Sequence, residues 1–243
     1  MSPTAATTVR EIVAQDFRAA AVFERHGIDF CCGGNRTVAS ASQERGVAVD
    51  TVLAELATAC AASASDAPRY GTWDLSTLVS YIVANHHGYV RDAIPPLVAH
   101  TQKIAAVHGE RHPELRSVEA LFDQVAQEMT AHMFKEERIL FPFIVAMAEA
   151  AAQDRPIPSA PFGTVEGPIR MMEHEHESAG GAMARIRELT SDFTPPDDAC
   201  TTYRVCLQEL KAFEDDLHVH VHLENNILFP KACVLESTGQ LPT

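Results

Sequence analysis

The chain has 243 residues, 46% of them hydrophobic, and a formal charge of −14 with no cluster of Lys or Arg. That length allows one sizeable core plus a small accessory domain, and the acidity makes nucleic acid and anionic membranes poor partners while suiting a protein that attracts cations. With no stretch of 18 apolar residues and no basic leader before an apolar run, a cytoplasmic location is expected.

The composition is Ala-rich and Gly-poor, which points to an all-α fold. Thr8-Val-Arg-Glu11 reads as a capping box opening a short helix, and Asp16 can cap a second that runs to Arg25 and stops at Gly27. Next comes Ile28-Asp-Phe-Cys31-Cys32-Gly33-Gly34-Asn35, a turn, then helices from about Thr37 to Arg45 and Asp50 to Ala62. The small and polar run Ser63–Thr72 marks the best boundary. It separates a helical unit of residues 1–64, across a linker at 65–72, from a larger domain over 73–243. The first unit has few large apolar residues and is expected to be marginal alone, so a homodimer is one outcome. Cys31 and Cys32 precede two glycines, which leaves a thiol pair on a loop that another molecule can approach closely. Neighbouring helix N-termini would lower the thiol pKa. This reads as an exposed working site; the alternative is a tight turn with incidental cysteines. Cys60, Cys200, Cys206 and Cys233 are expected as small core residues.

The larger domain reads as four long helices. The first runs from Asp74 towards Ala106, contains His86-His87, and should bend at Pro95-Pro96. The second opens at Pro113 and carries Glu128 one turn before His132; Glu128 is a candidate partner of a metal ligand, a proton relay or a weak extra ligand, and otherwise a partly exposed helix residue. A third, Pro168 to Phe193, carries His176 on one face with Ile169, Met172 and Met183, leaving His174 solvated. The fourth holds His218, His220 and His222, of which only His220 has Glu four residues on. His218 and His222 fall on the opposite, solvated side.

Two stretches organise this domain. His132-Met-Phe-Lys-Glu136-Glu-Arg-Ile-Leu-Phe-Pro142 and His220-Val-His-Leu-Glu224-Asn-Asn-Ile-Leu-Phe-Pro230 share one pattern, H-x-x-x-E-x-x-I-L-F-P. Residues four apart on a helix lie on one face, so each copy aims an imidazole and a carboxylate at one point. Leu121, Val125, Ile139 and Phe143 share His132's phase, and Phe213, Leu217, Ile227 and Leu228 share that of His220. Both pairs should therefore face the core, where they are costly unless hydrogen-bonded or bound to metal. The repeat extends upstream, since His87 lies 45 residues before His132 and His176 lies 44 before His220. This spacing favours His87 as the ligand, with His86 as the alternative ligand or a hydrogen-bond partner behind it. Two such helical hairpins place four His and two Glu inside one four-helix bundle. The set exceeds one tetrahedral zinc and holds no thiolate; two ions fit better, and nitrogen and oxygen donors suit iron, with manganese and zinc as alternatives.

From about Trp73 to Pro230 the chain resembles a hemerythrin-like domain. The segment with Asp29-Phe-Cys-Cys-Gly-Gly34 resembles the small domain of the iron-sulfur cluster repair di-iron proteins, the RIC family. The resemblance implies a hemerythrin-like up-down four-helix bundle with a small N-terminal helical domain. It implies two non-haem iron ions, oxo- and carboxylate-bridged, on His87, His132, His176 and His220 with Glu136 and Glu224 bridging. It further implies repair of iron-sulfur proteins damaged by nitrosative or oxidative stress, by iron donation or by nitric oxide handling, including a nitric oxide reductase-like activity. Reversible binding or sensing of dioxygen or nitric oxide is the alternative, and Cys31-Cys32 speaks against it because gas carriage does not need a thiol pair.

Overall fold

The structure is a computed structural model and describes residues 3–61 and 69–241. In chain order its helices are α1 (Val9–Gln15), α2 (Ala20–Arg25), α3 (Val38–Glu44), α4 (Val49–Ala61), α5 (Leu75–Tyr81), α6 (Gly88–His108), α7 (Glu114–Lys135), α8 (Phe141–Ala152), α9 (Glu166–Leu189), α10 (Thr201–Leu223) and α11 (Phe229–Thr238). The expected all-α class holds among the described residues. Two compact units result: Met1–Leu78 with Ala148–Ile157 and Val221–Thr243, and Val79–Met147 with Pro158–His220.

In the first unit the local signals act as written. Thr8 and Glu11 form the reciprocal capping box of α1, Asp16 caps the 3-10 turn Phe17–Ala19, and Gly27 takes φ +64° after α2, where only a residue without Cβ sits unstrained. Phe23, Phe30, Val52 and Leu56 are buried, and Phe229 and Leu235 of the C-terminal segment are buried in the same unit. The leading helices therefore do not stand on their own few apolar side chains: α1 packs on the Glu224–Leu228 turn of the C-terminal segment, and each large side chain buried in this unit contributes roughly 1.5–3 kcal/mol. Of the Ser63–Thr72 run, residues 63–68 lie outside the described residues, whereas Tyr70 is buried in a 3-10 turn and meets Phe17 edge-on at 6.1 Å.

The second unit is built on α6, α7, α9 and α10, with α7 packed on both α6 and α9. Leu97, Val118, Phe122, Val125, Met183, Leu210 and Phe213 form its dry interior, and Phe122 meets Phe213 edge-to-face at 5.3 Å. α6 continues through Pro95 and Pro96 to His108, and α9 ends at Leu189, short of Phe193. Ser191, Asp192 and Phe193 all take positive φ there. Of the four cysteines assigned to the core, Cys206 alone is buried, while Cys200 is exposed.

The departure from regular helix is the feature that matters. Among the described residues three π turns interrupt the long helices, at Ile82–His87, Glu136–Leu140 and Glu224–Leu228. Each contains or begins at a residue of the His/Glu set. A π turn inserts one extra residue, so positions beyond it rotate away from the 3.6-residue phase. Ile139 illustrates this: expected in the core, it is 49% exposed, and Leu140 takes the inward place. Pro142 and Pro230 follow the second and third π turns, and a wider turn relieves the clash between a proline ring and the carbonyl four residues back.

Candidate metal centre

His87, His132, Glu136 and His176 are all fully buried, and so are His220 and Glu224. Glu224 lies one turn beyond His220 on the same helical run, so the helix itself fixes their spacing. Ligand atoms of these six fall into two groups, each within 4.8 Å: His87, Glu136, His220, Glu224 and His132, Glu136, His176, Glu224. Both groups share both carboxylates. His132 Nε2 lies 2.9 Å from His176 Nε2 and 3.2 Å from Glu136 Oε2, and His87 Nε2 lies 3.3 Å from the same Oε2. Four imidazole nitrogens and two carboxylates converging in a dry interior fit cations, since two buried negative charges need compensation there and neutral imidazoles give little.

Two acids missed in the sequence orient the imidazoles. Glu137 Oε1 lies 2.9 Å from His87 Nδ1, and Glu175 Oε2 lies 2.9 Å from His132 Nδ1. With Nδ1–H donated outward, each Nε2 presents a lone pair inward. Burial alone would raise the Glu175 carboxyl, but hydrogen bonds from Lys135 and His132 hold it below the usual range. Both acids adjoin a member of the donor groups in sequence, Glu137 after Glu136 and Glu175 before His176, and that adjacency was the available signal. Glu137→Gln and Glu175→Gln are each expected to weaken metal affinity about ten- to a hundredfold, read by competition with a chromophoric chelator.

His87 stands in the cation groups and His86 does not. His86 is bonded through Nδ1 to Asp216 at 2.9 Å and lies nearly parallel to His220, ring centroids 5.7 Å apart. His87→Ala is therefore expected to lose more metal than His86→Ala, and equal loss in elemental analysis would refute the assignment. Glu128 accepts hydrogen bonds from Gln124 at 2.8 Å and Ser178 at 3.0 Å and joins neither group. His174 is solvated as expected.

His222 corrects the sequence reading. Expected on a solvated face, it is fully buried, its ring 5.4 Å from that of Phe17 and 5.9 Å from that of Phe30; burial pushes its pKa down to about 3.

The thiol loop also differs from expectation. Cys31 is buried and Cys32 half-buried, with sulfurs 4.0 Å apart. Asp29 organises the loop: Oδ1 accepts the Cys31 and Cys32 amides, each at 3.0 Å, and Oδ2 accepts the Gly33 amide at 3.0 Å. Instead of being lowered, the Cys31 pKa is pushed well above the ordinary thiol value, by its bond to Cys32, by burial and by the Asp29 charge. Asp29, Cys31 and Cys32 form a third group with donor atoms close enough to hold a cation.

A helical bundle with overlapping His/Glu donor groups in its interior defines a cation-binding protein. Residues 78–232 match the hemerythrin HHE cation binding domain, and residues 5–60 match a domain of unknown function, DUF542. Over 215 residues, 88% of this chain and 91% of the relative, the sequence is 35% identical to the iron-sulfur cluster repair protein YtfE of Yersinia pestis strain Pestoides F. The YtfE protein of Yersinia pseudotuberculosis serotype O:1b strain IP 31758 is 34% identical with the same coverage. The chain belongs to this family of iron-sulfur cluster repair proteins, and its larger part is a hemerythrin HHE domain. No described helix is long and apolar enough to cross a membrane.

Proposed function

We propose that this protein restores iron-sulfur clusters damaged by nitrosative or oxidative stress, acting in the cytoplasm on damaged iron-sulfur proteins. Two iron ions would be held by the six donors, one by His87 and His220 and the other by His132 and His176, with Glu136 and Glu224 available to both. The observation that carries this reading is the pair of donor groups that share both carboxylates. Bound iron would supply redox chemistry and open positions for a small ligand such as nitric oxide or dioxygen.

The chain's own residues do the rest. Glu137 and Glu175 hold the protons on His87 and His132 at Nδ1, keeping each Nε2 a lone-pair donor. Phe141, stacked on His87 with ring centroids 5.6 Å apart, keeps water from that donor. Cys31 and Cys32 offer soft sulfur ligands where the bundle offers nitrogen and oxygen. They are suited to take or pass iron or nitric oxide at the damaged cluster.

Reversible gas carriage is the less favoured reading, because it leaves the thiol pair without a role. The test incubates the iron-loaded full chain with a nitric-oxide-damaged iron-sulfur enzyme and follows the return of cluster absorption and activity. Restoration should exceed that given by the same amount of free ferrous iron; restoration no better than free iron rejects the reading.

A further inference from the structure

Aligning the two H-x-x-x-E-x-x-I-L-F-P copies exposes a divergence that metal binding does not need. Phe134 and Arg138 in the first copy become His222 and Asn226 in the second. In the first copy these positions are exposed: Phe134 is 62% accessible, and the Arg138 guanidinium lies over its ring at 5.9 Å. The second copy buries the same outer face. His222 is fully buried, and Ile227 is 3% accessible where its counterpart Ile139 is 49%.

The thiol loop covers that face. Asn226 Nδ2 donates to the Phe30 carbonyl at 3.0 Å and the Cys31 carbonyl at 3.3 Å, and lies 3.0 Å from His222 Nδ1. A Cβ added at Gly34 would meet Asn226 Oδ1 at 2.8 Å, Arg10 Cβ at 2.9 Å and the Phe30 carbonyl at 2.9 Å. The second glycine of Cys-Cys-Gly-Gly thus lets the loop close onto this amide. His222 backs the contact, wedged between the Phe17 and Phe30 rings.

We propose that Asn226, supported by His222, is the positioning residue of the Cys31–Cys32 loop, latching it to the π turn that begins at Glu224. The two side chains replace an exposed Phe/Arg pair at repeat-equivalent positions, so one copy of the duplicated motif has been adapted to hold the thiols. Asn226 lies two positions beyond Glu224 in that turn, so metal donor and latch share one piece of backbone. The importance of the latch for repair rests on the function proposed above; the latch itself does not.

The test uses the iron-loaded full chain and measures alkylation rates of Cys31 and Cys32 separately by mass spectrometry, beside metal content and helical circular dichroism. Asn226→Asp keeps the size but turns a donor to two carbonyls into a repelling acceptor. It should speed Cys31 labelling about tenfold or more, the scale on which lost local hydrogen bonds raise the open population, with metal content and helicity unchanged. Gly34→Ala, which pushes on the same contact from the loop side, should do likewise. Arg138→Ala, the repeat-equivalent change, should leave both rates at wild-type values. Unchanged Cys31 labelling in both Asn226→Asp and Gly34→Ala overturns the latch, and so does metal loss that accompanies the faster labelling. A failed repair assay would count against the proposed function without moving these rates.

Discussion

Glu136→Ala and Glu224→Ala are each expected to strip the bundle of most of its metal, whereas His218→Ala should retain it. Wild-type protein purified without added metal should carry about two ions per chain and show iron charge-transfer absorption when oxidised. Each carboxylate belongs to both donor groups, so one substitution removes an anionic donor from both groups at once. What remains is a set of neutral imidazoles and one carboxylate in a dry interior, a poor place for two dications. Loss of an outer hydrogen-bond partner typically costs about ten- to a hundredfold in affinity, so loss of a shared ligand should cost at least about a hundredfold. Because the metal binds the folded state, chelation should also lower the wild-type Tm, and the Glu136→Ala protein should show a much smaller drop. A stoichiometry of one zinc with no iron absorption would overturn the two-iron assignment.

The duplicated motif made the bundle and the six-residue set legible, because the helical period directly dictates which residues share a face. His87 emerged from repeat spacing alone, although its neighbour His86 is just as buried. The π turns left no mark in a period count: one inserted residue shifts the phase, which is why Ile139 is half exposed where its spacing from His132 predicts the core. Glu137 and Glu175 were missed because their roles depend on which ring nitrogen faces the ligand point, a matter of three-dimensional orientation. His222 was misplaced for a different reason. Its face is solvated in an isolated bundle and dry only once the leading segment packs there, and contacts spanning some 190 residues of sequence leave no local signal, as the Asn226 bond to Cys31 across 195 positions shows. The divergence from Phe134 to His222 between the copies was the one trace available.

Replacing both thiols, Cys31→Ala with Cys32→Ala, is expected to leave iron content and optical spectrum intact while slowing restoration of a nitric-oxide-damaged cluster enzyme. The single variants should be unequal. Cys31 is buried and its thiol is pushed well above the ordinary value, so it stays protonated near neutral pH and donates to Asp29 Oδ1 at 3.3 Å. Cys32 is half-buried, which leaves it the accessible sulfur. The thiolate is the nucleophile and the metal ligand, so Cys32 should make first contact with iron or nitric oxide, and Cys31 should engage only after its proton has left. Cys32→Ala should therefore account for most of the lost repair rate and Cys31→Ala for a smaller part. Alkylation at neutral pH should modify Cys32 well before Cys31, with Cys31 becoming competitive only above the ordinary thiol range. Loss of iron in the double variant would place the cysteines in the bundle's own metal site, and repair at the wild-type rate would leave the bundle acting alone. Faster labelling of Cys31 than Cys32 at neutral pH would reverse the assigned order.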